Sequence, residues 1–423
     1  MDLVLKCIDC GEECPSKSSR YRCECGGLLE VVHDLEKLKE VVSKELFDKR
    51  LGSLKHPYNS GVWRYKELIL PVDDKYIISK PEGNTNLYCS KKVSDYTGAR
   101  NLAMKHEGEN PTGSFKDRGM TAGITQGNVL GARIVACAST GNTSASMAAY
   151  GAARGMKSVV FIPQGEIAYG KLAQALAYGA RTIQIRGNFD DAMRLVQEAS
   201  TELGMYLLNS INPFRIEGQK AIGFETLQQR GWRVPDWFVL PGGNLGNGTA
   251  LGKGLSELYE LGIIDKVPRI GIIQAAGANP LYKMWNSKKK FEPVKNPETV
   301  ATAIRIGNPV SWKKLEKFLR WSRGVVEEVT DQEIVDAKAV VDSSGIGAEP
   351  ASCASIAGLR KLVGRGIIKE DEDVVAILTG HVLKDPNLVV DYHKGTLKDL
   401  KSTYQNKPVQ ADASLDSIKK LLL

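Results

Sequence analysis

From Lys75 onward, short apolar runs rich in β-branched residues alternate with stretches whose apolar residues recur at helical spacing. The runs Tyr76–Ser79, Ile134–Ala138, Ser158–Ile162, Thr182–Ile185, Tyr206–Leu208, Trp237–Leu240, Ile270–Gln274 and Val374–Leu378 predict strands. Asn142–Arg154, Ala168–Tyr178, Phe189–Leu203, Glu217–Gln229 and Gly248–Leu261 predict the helices between them. Alternation through short loops predicts an α/β fold of mostly parallel, doubly wound sheets with helices on both faces. Right-handed crossovers then gather the loops at the strand C-termini along one crevice, where ligands bind.

The rhythm is broken in three places. Leu35–Leu46 has helical spacing, and the loop Gly52–Gly61 then leads into Gly61-Val-Trp-Arg-Tyr65. The stretch from Lys283 to about Gly324 is basic and carries tryptophan. Past Asp385 the chain turns polar and lysine-rich, which predicts a peripheral tail. Between the last two breaks, Thr330 with Glu333 reads as a capping box, and a helix is expected over about Pro350–Leu362. The last strand runs into Thr379-Gly380-His381.

Composition narrows this picture. A length of 423 residues suits two or three domains. Hydrophobic content of 42% and charged content of 25% are those of a soluble globular protein. Lys and Arg exceed Asp and Glu by 57 − 49 = 8, a balance that favours anionic ligands. The basic residues are dispersed, however, and the one run, Lys288–Lys290, reads as a solvated loop, so no nucleic-acid partner is expected. No apolar run reaches membrane-spanning length and the N-terminus lacks a signal-peptide core, which predicts a cytoplasmic protein with no membrane partner.

Five of the eight cysteines fall within the first 25 residues. Cys7-x-x-Cys10 faces Cys23-x-Cys25 across a short gap, the arrangement of a small zinc ribbon with four thiolate ligands. A metal-free relic of such a knuckle, or a disulfide, fits the same spacing. Cys137, inside an apolar strand, reads as inert core.

The densest chemistry lies in Glu107–Met120, EGENPTGSFKDRGM. Turn residues stop at Ser114, and a helical pattern runs from there to about Leu130. Ser114 followed by Asp117 reads as an N-cap with its capping-box partner. Lys116 then sits in the first turn, where the helix dipole disfavours a cation by roughly 0.3–1 kcal/mol. Either it is a solvated lysine, or it works neutral, as an amine or an imine, with its pKa depressed by the helix end. Two other strand-to-helix loops share its position: Ser139-Thr-Gly-Asn-Thr143 and Gly242-Gly-Asn-Leu-Gly-Asn-Gly248. The second is a phosphate cradle by composition, yet it fits neither common nucleotide-binding motif.

Asn110-Pro-Thr-Gly-Ser-Phe-Lys-Asp-Arg-Gly119 resembles the cofactor-lysine motif of the tryptophan synthase β-like, fold type II pyridoxal phosphate enzymes. The whole of Glu107–Met120, with Ala138–Thr143, Asn209–Gln219, Gly242–Asn247, Ala303–Pro309 and Thr379–His381, is similar in order to the threonine synthase family. The cysteine-bearing N-terminus is similar to that of the family's longer members.

The resemblance implies two doubly wound domains of the tryptophan synthase β-like type. Residues 75–130 and 215–385 would form the large cofactor-binding domain and 131–214 a small mobile one. Residues 1–31 would be the ribbon-like segment, 32–74 a helix and arm, and 386–423 the tail. It implies that Lys116 forms a Schiff base with pyridoxal phosphate and that Asn142 bonds the ring hydroxylate. Thr379 would face the pyridine nitrogen, and Gly243, Asn244, Leu245, Gly246 and Asn247 would hold the cofactor phosphate. Ser139, Thr140 and Thr143 would grip the substrate carboxylate or phosphate, with Ser210 and Arg215 completing the phosphate site. The implied reaction converts O-phospho-L-homoserine and water to L-threonine and phosphate, in a homodimer. Cysteate synthase, which joins O-phosphoserine and sulfite, shares these motifs. By residue type alone, Arg215 also reads as a surface arginine at a helix start and Asn142 as an N-cap. A zinc-ribbon binding module on a degenerate enzyme body is the reading from another class.

Overall fold

A computed structural model describes residues 3–164, 169–187 and 189–422. Its strands, in chain order, are β1 (Leu3–Cys7), β2 (Glu13–Pro15), β3 (Leu29–His33), β4 (Leu87–Tyr88), β5 (Asn101–His106), β6 (Ile134–Ala138), β7 (Lys157–Pro163), β8 (Arg181–Ile185), β9 (Tyr206–Leu207), β10 (Trp237–Pro241), β11 (Arg269–Ala275), β12 (Val325–Val329) and β13 (Asp373–Leu378). They form three sheets. The N-terminal one is antiparallel, in the order β2-β1-β3. A six-stranded sheet runs β12-β11-β10-β13-β5-β4, parallel except at its β4 edge, and a parallel four-stranded sheet runs β8-β7-β6-β9. The α/β architecture with two helix-covered, mostly parallel sheets is the one expected from the alternation.

Most of the anticipated elements form. The helix Asn142–Arg154 and strand β6 have the anticipated limits, and Thr330 closes a capping box over the helix Asp331–Asp342. Tyr76–Ser79 is not a strand: it follows a short 3-10 turn, and Ile78 bonds through its backbone to the hydroxyls of Thr121 and Thr125. Leu35–Leu46 breaks into two short helices, Leu35–Lys39 and Lys44–Lys49, capped by Asp34 and Ser43. The helix expected from Ala168 is described from Tyr169 to Ala177; its anticipated first residue lies outside the described residues. In the tail, the helix Pro386–Lys394 packs Tyr392 beside Val335 and Ala339.

Two helices position the crevice. Lys116–Val129 and Pro213–Gln229 lie against one another at glycine contacts. A Cβ on Gly119 would come within 2.7 Å of the Arg215 carbonyl oxygen, and one on Gly218 would collide with that of Arg118. Backbone therefore meets backbone, and Arg215 is brought beside the start of the lysine helix. The N-terminal sheet docks on the same region through a buried ion network. Lys220 Nζ sits 2.6 Å from Glu217 and 2.5 Å from Glu257, Lys253 bonds Glu217 and the Val31 carbonyl, and His33 bonds Glu217 at 2.7 Å. The carboxylates are satisfied by ammonium groups, which leaves no vacancy for a cation among them.

Candidate active site

The lysine loop follows β5 and rests on a buried ionic frame. Arg118 bonds Glu107 through Nε at 2.6 Å and Nη2 at 2.7 Å, and Glu225 at 2.8 Å. Lys105 and Arg64 also bond Glu225, at 2.6 and 3.1 Å. Asn110 donates to Glu107 at 3.0 Å. Charges this deep persist only when paired and hydrogen-bonded, so this part of the motif is committed to holding the loop. The loop is also stitched to the end of β13. Phe115 N–H donates to the Thr379 carbonyl and His381 N–H to that of Gly113, each at 3.0 Å, with Gly113 turning at φ +81°.

The anticipated capping box is absent here. The helix begins at Lys116, Phe115 occupies the cap position, and Asp117 faces inward. Asp117 accepts from Thr112 N–H at 2.7 Å, Thr112 Oγ1 at 2.6 Å and Ser146 at 2.5 Å. Burial raises its pKa to about 6 against those bonds.

Lys116 is not a solvated lysine. Its Nζ lies 4.0 Å from the Phe115 ring centroid and makes no hydrogen bond or ion pair among the described residues. Burial foremost, then the Arg215 charge, lowers its pKa to about 7, while Glu349 pulls the other way. The depression was anticipated from the helix end; desolvation and a neighbouring cation also lower it.

Asn142 begins its helix after β6 without capping it, and its Nδ2 donates to Glu349 at 3.0 Å. Thr379 Oγ1 donates to the other oxygen of Glu349, also at 3.0 Å, and lies 3.1 Å from Ser352 Oγ. Glu349 thus joins the two anticipated ring contacts, although residue pattern alone did not single it out. It precedes Pro350 at a helix start and carries no periodic signal; the break Gly347-Ala-Glu-Pro350 ahead of a helix is the one cue. Burial raises its pKa, opposed by the bonds from Asn142 and Thr379. Lys384 is a second unanticipated group: it bonds Gln174 across the crevice and sits beside Gly113.

The glycine loop after β10 is walled by Ala303–Ser311. A Cβ on Gly243 would lie 3.1 Å from Ile304 Cα, so only glycine fits without displacement. Asn244 Oδ1 accepts from Val310 N–H at 2.9 Å. Leu245 takes the left-handed conformation at φ 65°, a strained state for a branched residue, and Gly246 starts the helix Gly246–Glu260. Asn247 Nδ2 is buried with no partner among the described residues.

Ser139, Thr140 and Thr143 are half-buried on the loop after β6, where Ser139 Oγ accepts from Gly141 N–H at 3.2 Å. Asn209 clamps that loop to the Ser210 turn by bonding Ala138 N–H at 3.0 Å and its carbonyl at 3.1 Å. Arg215 is buried rather than superficial. Its Nη1 donates to the Leu208 carbonyl at 2.9 Å, its Nε has no partner among the described residues, and burial lowers its pKa to about 10.

Comparison with known proteins gives this crevice its context. The profile of the family described as "Pyridoxal-phosphate dependent enzyme" matches residues 78–380. The chain is 47% identical to a threonine synthase of Methanocaldococcus jannaschii, over 99% of each sequence. It is 48% identical to one of Methanosarcina acetivorans, over 99% of this chain and 98% of that one. Among solved structures, maize serine racemase superposes with a TM-score of 0.65 at 20% identity, covering 79% of this chain and 96% of its own. The processed form of threonine deaminase isoform 2 from Solanum lycopersicum gives 0.62 at 20% identity, covering 76% and 89%; both likenesses bear on the fold.

Proposed function

The chain belongs to the pyridoxal-phosphate dependent enzyme family, and on that premise we infer that it is a threonine synthase, a lyase converting O-phospho-L-homoserine and water to L-threonine and phosphate. The observation that carries the inference is its 47% and 48% identity with two threonine synthases over nearly the whole of each sequence.

The residues present fit the cofactor. A lysine with no hydrogen-bond partner and a pKa lowered to about 7, a Gly243 whose Cβ position lies 3.1 Å from Ile304 Cα, and a buried Asn247 amide with no partner among the described residues suit it. In this reading Lys116 would hold the cofactor covalently. Asn142 and Thr379 would bond its ring, and the backbone of Gly243, Asn244, Leu245, Gly246 and Asn247 its phosphate. When bound, pyridoxal phosphate withdraws the electrons left behind as substrate protons depart.

The chain's own groups then have distinct tasks. Lys116, released when the substrate amine takes its place, would be an amine that burial holds toward its neutral form, and it would accept the proton from the substrate α-carbon and return one later. A neutral Thr379 hydroxyl stabilises a protonated pyridine less than a carboxylate would, so proton placement falls to Lys116. We assign Ser139, Thr140, Thr143, Ser210 and Arg215 to the substrate carboxylate and phosphate. The support is a buried guanidinium whose Nε is unpaired, which gains a charge-assisted bond from a departing dianion. Residues 131–214 would move over the crevice as one small domain, and the working form would be a cytoplasmic homodimer.

The test is phosphate release and threonine formation from O-phospho-L-homoserine, with O-phosphoserine plus sulfite as the contrasting substrates. The Lys116→Ala variant is expected to lose visible cofactor absorbance and turnover together. Undiminished phosphate release by that variant, or exclusive use of O-phosphoserine and sulfite by the wild type, overturns the reading.

A further inference from the structure

The N-terminal cysteines take no part in the crevice, yet they converge. Cys7 ends β1, Cys10 follows in the next turn, and Cys23 and Cys25 sit on the loop before β3. The sulfur atoms lie 3.5 Å apart for Cys7 and Cys25, 3.6 Å for Cys10 and Cys23, and 3.5 Å for Cys10 and Cys25. All four fall within 4.8 Å of one another. A disulfide requires about 2.05 Å. Four sulfurs at Zn–S distances of about 2.3 Å form a tetrahedron with edges of about 3.8 Å, which these spacings approach. The surrounding backbone suits such a site. Asp9 N–H points at Cys7 Sγ from 3.4 Å, and a Cβ on Gly27 would reach that sulfur at 2.6 Å. The Glu12 carboxylate lies 2.9 Å from Cys23 Sγ. Cys14 lies on the same segment but outside the cluster.

The knuckle touches both parallel sheets. Tyr21 accepts from Leu207 N–H at 2.6 Å, which covers the outer edge of β9, and its ring lies 6.0 Å from Tyr206. On the other side, Asp9 pairs with Lys313 at 3.0 Å and the Leu29 carbonyl accepts from Lys314 at 2.6 Å, both on the helix Trp312–Trp321 beside the six-stranded sheet. The loop Ser16–Leu28 is thus the strap between them, closed by the cysteines, the β1–β3 ladder, the bond from Ile8 N–H to the Leu28 carbonyl and the Arg22–Leu28 bridge, and anchored at Ser16 by Gln126.

We propose that Cys7, Cys10, Cys23 and Cys25 hold one zinc ion in a tetrahedral thiolate site, and that the filled knuckle ties the β9 edge of the four-stranded sheet to the larger sheet's helices, as the pivot about which residues 131–214 would move. Thiolates alone as ligands select zinc or iron among the common metals, and the tetrahedral spacing fits both. Zinc is redox-inert, as a structural clamp requires.

The test begins with metal content of enzyme purified without chelator under reducing conditions. One zinc per chain is expected. Cys10→Ser and Cys25→Ser, at the two exposed ligands, should reduce it at least fivefold, while Cys14→Ser should leave it unchanged. Fresh wild-type protein with less than a tenth of a zinc per chain, or with iron in its place, overturns the zinc assignment. The strap is read separately, by hydrogen exchange on the full-length enzyme before and after zinc removal with a thiol reagent and chelator. The Leu207 amide is expected to exchange at least tenfold faster without zinc, with β11 unaffected. Unchanged exchange at Leu207 overturns the strap, and general acceleration including β11 shows global unfolding and overturns it as well.

Discussion

An unpaired lysine is the residue on which the crevice turns. Its pKa of about 7 has a consequence for the cofactor-free protein. An unfolded lysine titrates near 10.4, so between about pH 7 and 10 the unfolded chain holds a proton that the folded chain has released. Stability from this position therefore rises with pH across that window, by up to about 1.4 kcal/mol per unit, and below pH 7 the folded state bears a buried charge. Urea midpoints of cofactor-free wild type and Lys116→Met, compared at pH 7 and 9, should show the larger rise in the wild type; equal rises would remove Lys116 from the account. Glu349 presents acceptors on both sides, to Asn142 and to Thr379. Glu349→Gln turns one into a donor facing Asn142 Nδ2 or forces the Thr379 hydroxyl to reverse. We expect cofactor affinity to fall about tenfold, at about 1.4 kcal/mol, with a displaced visible absorbance maximum. A variant with native affinity and spectrum would make Glu349 a filler. Residue types singled out Lys116 and the glycine loop because turn chemistry and helix starts leave local marks, whereas Thr379 was suggested only by the family resemblance. Glu349 left only the break before Pro350, since its partners are 207 and 30 residues away.

At the scale of elements, periodicity was informative wherever burial alone set the residue types. Strands β6, β7, β10, β11 and β13 are runs of apolar residues covered on both faces, and each was legible. Strand β5 was missed because Lys105 and His106 interrupt its apolar run. Both are buried, Lys105 through Glu225 and Gln229 and His106 through carbonyls at Ile346 and Gly347. Strand β12 was missed for a similar reason: Glu327 is buried against Arg365. Conversely, Tyr76–Ser79 has strand-like residues but spends its backbone bonds on threonine hydroxyls of the lysine helix. Pairing of charges across elements is invisible to a local pattern. The glycine contact between the two crevice helices yields a further prediction. In Gly218→Ala the added methyl meets the Arg118 carbonyl oxygen, which is backbone and cannot swing aside. The helices must part, at a cost of about 1–3 kcal/mol, read as a lowered urea midpoint with an unchanged slope. A midpoint equal to the wild type's would mean that the helices do not meet there.

For the whole molecule, loops of the two parallel sheets meet where Asn142 bonds Glu349 and Lys384 bonds Gln174. If residues 131–214 close as a unit, cofactor together with inorganic phosphate should slow hydrogen exchange through β6–β9 while leaving β11 and β12 unchanged; uniform slowing would argue against a separate small domain. The order of strands in the larger sheet carries a consequence for the making of the protein. Strand β13, the last in the chain, lies between β10 and β5, near the middle. A ribosome-bound chain that has not yet released residue 378 has its larger sheet in two halves, each with an open edge. It also lacks the Thr379 carbonyl that receives Phe115 N–H and sets the lysine loop. The closing pairings join residues 373 − 101 = 272 positions apart with β5 and 374 − 237 = 137 apart with β10, so they come late in folding. A reactive amine is thereby kept from assuming its working posture until β13 has joined the sheet, so capture of the cofactor would report that the larger sheet has closed.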